Sequence, residues 1–222
     1  MMDLNFLGVL EELPFILGGL TTTLTLVFSS IIFGMILGTL LSLMKLGKSK
    51  IAASIATIYI SIFRGTPLML QLTLIFFALP IAFNIDLGSY GSAILAMGLN
   101  SSAYIAEIIR SGIGSVDKGQ TEASLALGIP YSKMMRHIIL PQALKNILPA
   151  LINEFSVLIK ESAIVNVVAL SDLMRRGMLI GTRSFLYFET LIVVGAIYYV
   201  LVMILALIGK FVEGRLAVSD QS

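Results

Sequence analysis

Arg64, Asn100, Glu154 and Lys160 stand inside long apolar stretches of this chain. Inserting a charge there costs about 2.5–3.5 kcal/mol, so each needs a partner or a task. Counted from the nearer basic flanks at about 1.5 Å per residue, all four reach the middle depths of a hydrocarbon layer about 30 Å thick. The stretch FRGTPLMLQ, Phe63 to Gln71, adds a break at that depth. Pro67 has no backbone donor, so it interrupts the segment and frees backbone groups beside Arg64. Free backbone at mid-membrane is tolerated where it lines a cavity or is buried in protein, and broken helices are how many transporters hold polar solutes. The chemistry on offer is recognition by charge and hydrogen bond. No Ser-His-Asp arrangement or carboxylate pair suited to catalysis stands out, and there is no cysteine. The one histidine, His137, cannot build a metal cluster, so no catalytic and no metal-binding residue is expected. Gly47-Lys48-Ser49 has the ending of a phosphate-binding loop, but Ser42 stands where that loop requires its first glycine. The chain is not expected to be an enzyme.

These residues are carried by an unusually apolar chain. Of its 222 residues 57% are hydrophobic and 13% charged, with mean hydropathy +0.97. A soluble domain carries roughly 25% charged residues, so lipid is the expected solvent. The start, MMDLNFLGVLEELP, is acidic and lacks the basic region of a cleaved secretory signal. The pattern predicts an all-α integral membrane protein, one permease domain over residues 1–222. Five spans are expected, at about 15–44, 51–82, 87–109, 147–168 and 186–211, with a polar insert at about 114–146. Lys45, Lys48, Lys50, Arg110, Lys118, Lys133, Arg136, Lys145, Lys210 and Arg215 fall on one side if the N-terminus is outside. Asp3, Glu11, Glu12, Asp86, Asp172, Arg175, Arg176 and Arg183 fall on the other. The positive-inside rule then predicts N-terminus out and C-terminus in, with a cytoplasmic insert. Gly34 and Gly38 form a GxxxG face that can bring two helices, including those of a dimer, close together.

The insert reads as helix, tight corner, helix. Asp117 or Ser115 can cap a helix running to Leu127, and Gly128 is placed to end it in a left-handed conformation. Pro130 suits a first turn, and the second helix, about Tyr131 to Ile139, is expected to stop before Pro141. Two uses remain open on these residues alone. The basic and apolar mixture of Lys133, Met134, Met135, Arg136 and His137 suits a helix lying on lipid headgroups. The compact corner, together with the acid Glu122, suits a cleft on another protein.

The spacing Glu122-Ala123-Ser124, then Gly128, Ile138, Leu140 and Pro141, resembles the EAA loop of ABC importer permeases, with Ser124 in place of the second alanine. FRGTPLMLQ and AYIAEIIRSGI, Ala103 to Ile113, resemble the polar amino acid uptake subfamily, the His/Gln/Arg-type permeases. The resemblance extends roughly from Gly19 to Glu213. It implies a type I, MetI-like fold in the bacterial cytoplasmic membrane. It also implies a second permease subunit, two cytoplasmic ATPase subunits that hold ATP and Mg, and an external solute-binding protein. No cofactor in this chain and no nucleic acid are implied. In that family the corner seats in a groove of the ATPase, which assigns coupling to Glu122, Ala123, Gly128, Ile129, Pro130 and Tyr131.

For solute contact the candidates are Arg64, Thr66, Gln71, Asn100, Ser101, Glu154 and Lys160. Asn100, Tyr104 and Glu107 share one face of span three. In span four, Asn153, Val157 and Lys160 form one stripe and Glu154, Leu158 and Glu161 the next. Polar faces on three spans predict a shared wet interior. A carboxylate facing it favours a cationic group, so polar amino acids fit, and cationic ones slightly better. Competing uses are structural: Arg64 pairs with Glu154 or Glu161 to lock the bundle, Lys160 and Glu161 snorkel to the outer interface, and Glu107 is an interfacial charge beside Arg110. An ion-gradient-driven transporter with Glu154 or Glu161 carrying the proton is the alternative function.

Overall fold

A computed structural model describes residues 4–218. Asp3, counted above among the outward charges, lies outside the described residues. Every regular element is helical: α1 Phe6–Glu11, α2 Leu13–Leu17, α3 Gly19–Leu46, α4 Lys50–Gly65, α5 Leu68–Thr73, α6 Leu79–Phe83, α7 Gly88–Gly114, α8 Lys118–Ala126, α9 Tyr131–Met134, α10 Leu140–Glu161, α11 Leu173–Ser184 and α12 Tyr187–Val218. The segments Leu13–Leu46, Gly88–Gly114 and Tyr187–Arg215 are long and apolar enough to cross a membrane. α4 with the run through α6 adds a fourth crossing if the pair is taken as one span, although it is bent by 102°. α10, the helix of the expected fourth span, falls short of that apolarity because Lys145, Asn146, Asn153, Glu154, Lys160 and Glu161 lie along it.

α7 is the central helix: 61% of its apolar stretch is buried, against 6% for α12, whose apolar surface faces outward. The main core joins Leu26 and Val27 of α3 to Leu72, Ala93, Ala96, Met97, Leu158 and Ile159. A second cluster packs Val9 and Ile16 against Leu173, Ile180 and Val194. Gly34 and Gly38 are used inside the chain, against α7, so the dimer contact considered for them is replaced by an internal one. A Cβ on Gly38 would sit 2.8 Å from the carbonyl oxygen of Ser102, so only glycine lets these two backbones approach so closely. At the end opposite the insert, Asp172 is fully buried and caps α11 by accepting from the Arg175 N–H at 2.8 Å. Burial pushes its carboxyl above the usual range, against the pull of that cap.

One expectation about the insert is overturned. The second helix does not stop before Pro141 but runs from Tyr131 through Glu161. Leu140 keeps helical angles, φ −61° and ψ −42°, although a proline follows it. Met135–Ile139 widens into a π-helical turn closed by the Leu140 N–H on the Met135 carbonyl. The wider turn accommodates a ring that would otherwise collide with the preceding turn, and the Gln142 amide donates to the Ile138 carbonyl at 2.9 Å. Leu74–Ala78, just ahead of Pro80, is π-helical at the same offset.

Candidate functional site: a broken helix, a buried acid and an exposed corner

The break between α4 and α5 is built from its own sequence. In an unbroken helix the Phe63 carbonyl would accept from residue 67, but Pro67 has no N–H. Thr66, before the proline, is extended at φ −123° and ψ 146°. Gln71 closes the gap: its side-chain amide donates to the Phe63 carbonyl at 2.9 Å, the Thr66 carbonyl at 3.1 Å and the Thr66 hydroxyl at 2.9 Å. Asn100 of α7 donates to the same Phe63 carbonyl and to the Gln71 side-chain oxygen, both at 3.1 Å. Gln71 and Asn100 are buried. Their amides therefore hold the break against the central helix, and leaving these carbonyls unpaired would cost about 1–3 kcal/mol each.

From the next residue of α7, the Ser101 hydroxyl donates to Glu154 of α10 at 2.8 Å. Glu154 is 8% exposed and forms no salt bridge among the described residues. Glu154 and Leu158 are the inward stripe of α10, while Asn153 and Lys160 are exposed on the other face. The structure thus joins Glu154 to Ser101 and leaves Lys160 out of their neighbourhood.

Arg64 pairs with neither Glu154 nor Glu161. It reaches Glu107 at 3.9 Å and lies over the Tyr104 ring at 5.3 Å. Glu107 also takes Lys45 of α3 at 2.5 Å and Arg110 at 2.8 Å. A residue read as an interfacial charge is therefore the hub that ties α3, α4 and α7 together. The Arg110 contact was legible as an i, i+3 pair on one helix. The other two come from helices distant in sequence and had no local signal. Around this hub a cavity of about 400 Å³ opens beside the root of the insert, where Asn146 donates to Ser115 at 2.8 Å.

The corner takes the expected form. Asp117 caps α8 by accepting from Gly119 at 2.6 Å. Gly128 has φ +69°, its N–H donates to the Leu125 carbonyl, and the Ile129 N–H donates to the Ser124 carbonyl, each at 3.0 Å. This pair of bonds is the helix stop that a left-handed glycine makes at no steric cost. Ser124, which replaces the second alanine, is buried and donates to the Gln120 carbonyl. Met134, 2% exposed, pins the corner from inside. Glu122, Ala123, Gly128, Pro130 and Tyr131 are exposed and Ile129 is half-buried. Leu125, Leu127 and Tyr131 present 60%, 78% and 67% of their surface outward, a large apolar display on a short polar insert.

Known proteins share this architecture. The chain is 50% identical over 219 residues to the arginine transport system permease protein ArtQ of Bacillus subtilis (strain 168), covering 99% of this chain and all of ArtQ. It is 37% identical to the L-cystine transport system permease protein TcyB of the same organism, covering 91% and 87% of the two chains. A solved amino acid ABC transporter with histidines superposes with a TM-score of 0.92 at 42% identity, over 96% of this chain and all of that one. An inward-facing methionine ABC transporter, MetNI, shares the fold at a TM-score of 0.77 and 21% identity, over 93% and 98% of the two chains. Residues 30–218 match the family described as "Binding-protein-dependent transport system inner membrane component", and the chain is a member of that family.

Proposed function

We propose that the chain is the translocation subunit of an ATP-driven importer of polar, preferentially cationic, amino acids. It would work with a second permease subunit, two ATPase subunits that hold ATP and Mg, and an external binding protein. The N-terminus would be outside and the insert cytoplasmic, as the distribution of basic residues favours. The exposed apolar corner, fixed by Gly128 on a chain with no nucleotide-binding loop of its own, carries this reading. ATP binding closes the ATPase pair, the corners seated in it move, and α9 passes that motion without interruption into α10 and Glu154. The continuous helix from Tyr131 to Glu161 is the lever, about 45 Å long at 1.5 Å per residue.

On the solute side, Glu154 is the acid available to a cationic group, with Ser101 orienting it. The corresponding names of relatives, arginine for one and histidines for a solved structure, support a cationic or polar amino acid. Uptake of radiolabelled L-arginine and L-histidine by the reconstituted complex tests this. Glu154→Gln and Glu154→Ala are expected to lower uptake at least tenfold and to reduce the preference for cationic over neutral amino acids. An unchanged preference in both variants removes Glu154 from the solute site.

A further inference from the structure

The cavity between the helix break and the root of the insert holds more positive charge than its acid can answer. Glu107 already bonds Lys45 through one oxygen at 2.5 Å and Arg110 through the other at 2.8 Å. Arg64 is left with a single contact at 3.9 Å and makes no hydrogen bond among the described residues. Its side chain is 44% exposed, into a cavity of about 400 Å³ that Tyr104, Glu107, Ser111, Ser115 and Asn146 also line. A guanidinium presents a planar fork of donors that matches an oxyanion bidentately. Here the guanidinium lies over a ring at 5.3 Å, and its one oxyanion contact, at 3.9 Å, is too long for a hydrogen bond. The cavity therefore offers a charged, hydrogen-bonding place of amino acid size on the insert side of the Ser101–Glu154 pair. Ser101 and Tyr104 are one turn apart on α7, so the two places lie along one helix face.

We propose that this cavity is an oxyanion subsite in which Arg64 takes the α-carboxylate of the solute, exchanging its long contact with Glu107 for a bidentate pair. The proposal rests on the amino acid reading above and adds a second pole to it. Glu154 receives the cationic end, and Arg64 receives the carboxylate on the cytoplasmic side. Glu107 keeps its two closer cations when Arg64 leaves it, so occupation does not strip the hub of its charge balance.

The test uses the complete complex in nanodiscs of phosphatidylcholine and compares each amino acid with its decarboxylated analogue: L-arginine with agmatine, and L-histidine with histamine. The wild type is expected to prefer the carboxylate-bearing member of a pair by roughly 10- to 100-fold, the worth of a charge-assisted hydrogen bond. Arg64→Gln should bring that ratio near one, chiefly by weakening the amino acid. Arg64→Lys, which keeps the charge without the fork and preserves the Glu107 contact, should fall between and covers the case in which the glutamine variant does not assemble. A ratio unchanged in either variant overturns the proposal. Adding phosphatidylglycerol separates the other source of an oxyanion: amino acid affinity that drops with this lipid in the wild type but not in Arg64→Gln assigns the cavity to a headgroup phosphate and also overturns it. Should neither pair bind while the complex hydrolyses ATP, the amino acid reading itself falls. Binding with an Arg64-independent ratio removes this subsite alone.

Discussion

Replacing Glu107 with alanine is expected to destabilise the chain by about 2 kcal/mol, between the ~1 kcal/mol of an exposed ion pair and the ~3 kcal/mol of a buried one. The intermediate value applies because its side chain keeps 18% of its surface while those of Arg64 and Arg110 keep 44% and 43%. Three cations from three helices converge on this one carboxylate: Lys45 from α3, Arg64 from α4 and Arg110 from α7. Without it, Lys45 and Arg110 repel one another in a partly desolvated setting, and α4 keeps to α7 only through the apolar packing of Ala56 and Ile60 on Ala103 and Ala106, the Tyr59 hydroxyl on Leu99 and Ser102 at 2.9 Å, and the Asn100 amide on the Phe63 carbonyl at 3.1 Å. Equilibrium unfolding in mixed micelles measures the loss. Glu107→Gln, which keeps the shape and some hydrogen bonds, should recover only a minor part. A loss below about 1 kcal/mol would show that water, not the carboxylate, balances these cations.

The second large effect concerns the corner. Gly128→Val places a β-branched side chain at φ +69°. An ordinary L-residue pays about 1–2 kcal/mol in that region, and a branched one more. The chain avoids the strain by opening the turn, which breaks the Ile129 bond to the Ser124 carbonyl and redirects Pro130 and Tyr131. The spans are untouched, so membrane insertion and folding of the bundle should persist. Co-purification of the ATPase and ATP-driven uptake are expected to fall more than tenfold. Gly128→Asn, which tolerates left-handed angles, should keep most of both. Full ATPase binding by the valine variant would show that the partner does not recognise the shape of this corner.

Much of this organisation was legible because it is local. The α8 cap at Asp117, the stop at Gly128 and the break at Pro67 follow from the angles and donors that each residue type allows. The EAA spacing pointed to the family for the same reason: it describes one compact turn. What escaped is set by helices distant in sequence. Glu154 and Lys160 lie six positions apart, about 120° around one helix, and both stripes hold polar groups, so hydropathy could not say which faces inward. Only packing against Ser101 decides it. Gln71 and Asn100 stand out in the sequence only as polar groups at mid-depth; that their amides bond the Phe63 carbonyl, which Pro67 leaves without its helical donor, is visible only in the fold. The GxxxG pair names close packing but not the partner, which is α7 of the same chain. The halt foreseen at Pro141 failed because a π-helical turn makes room for the ring.

Reconstitution with and without the ATPase decides the central claim most directly. Vesicles containing this chain with its partner permease, ATPase and binding protein are expected to accumulate labelled amino acid only when ATP is supplied on the side of the insert. Vesicles lacking the ATPase should show none, even under an imposed proton gradient. Concentrative uptake by the permease alone would contradict the account and make Glu154 or Glu161 the carrier of a coupling proton instead.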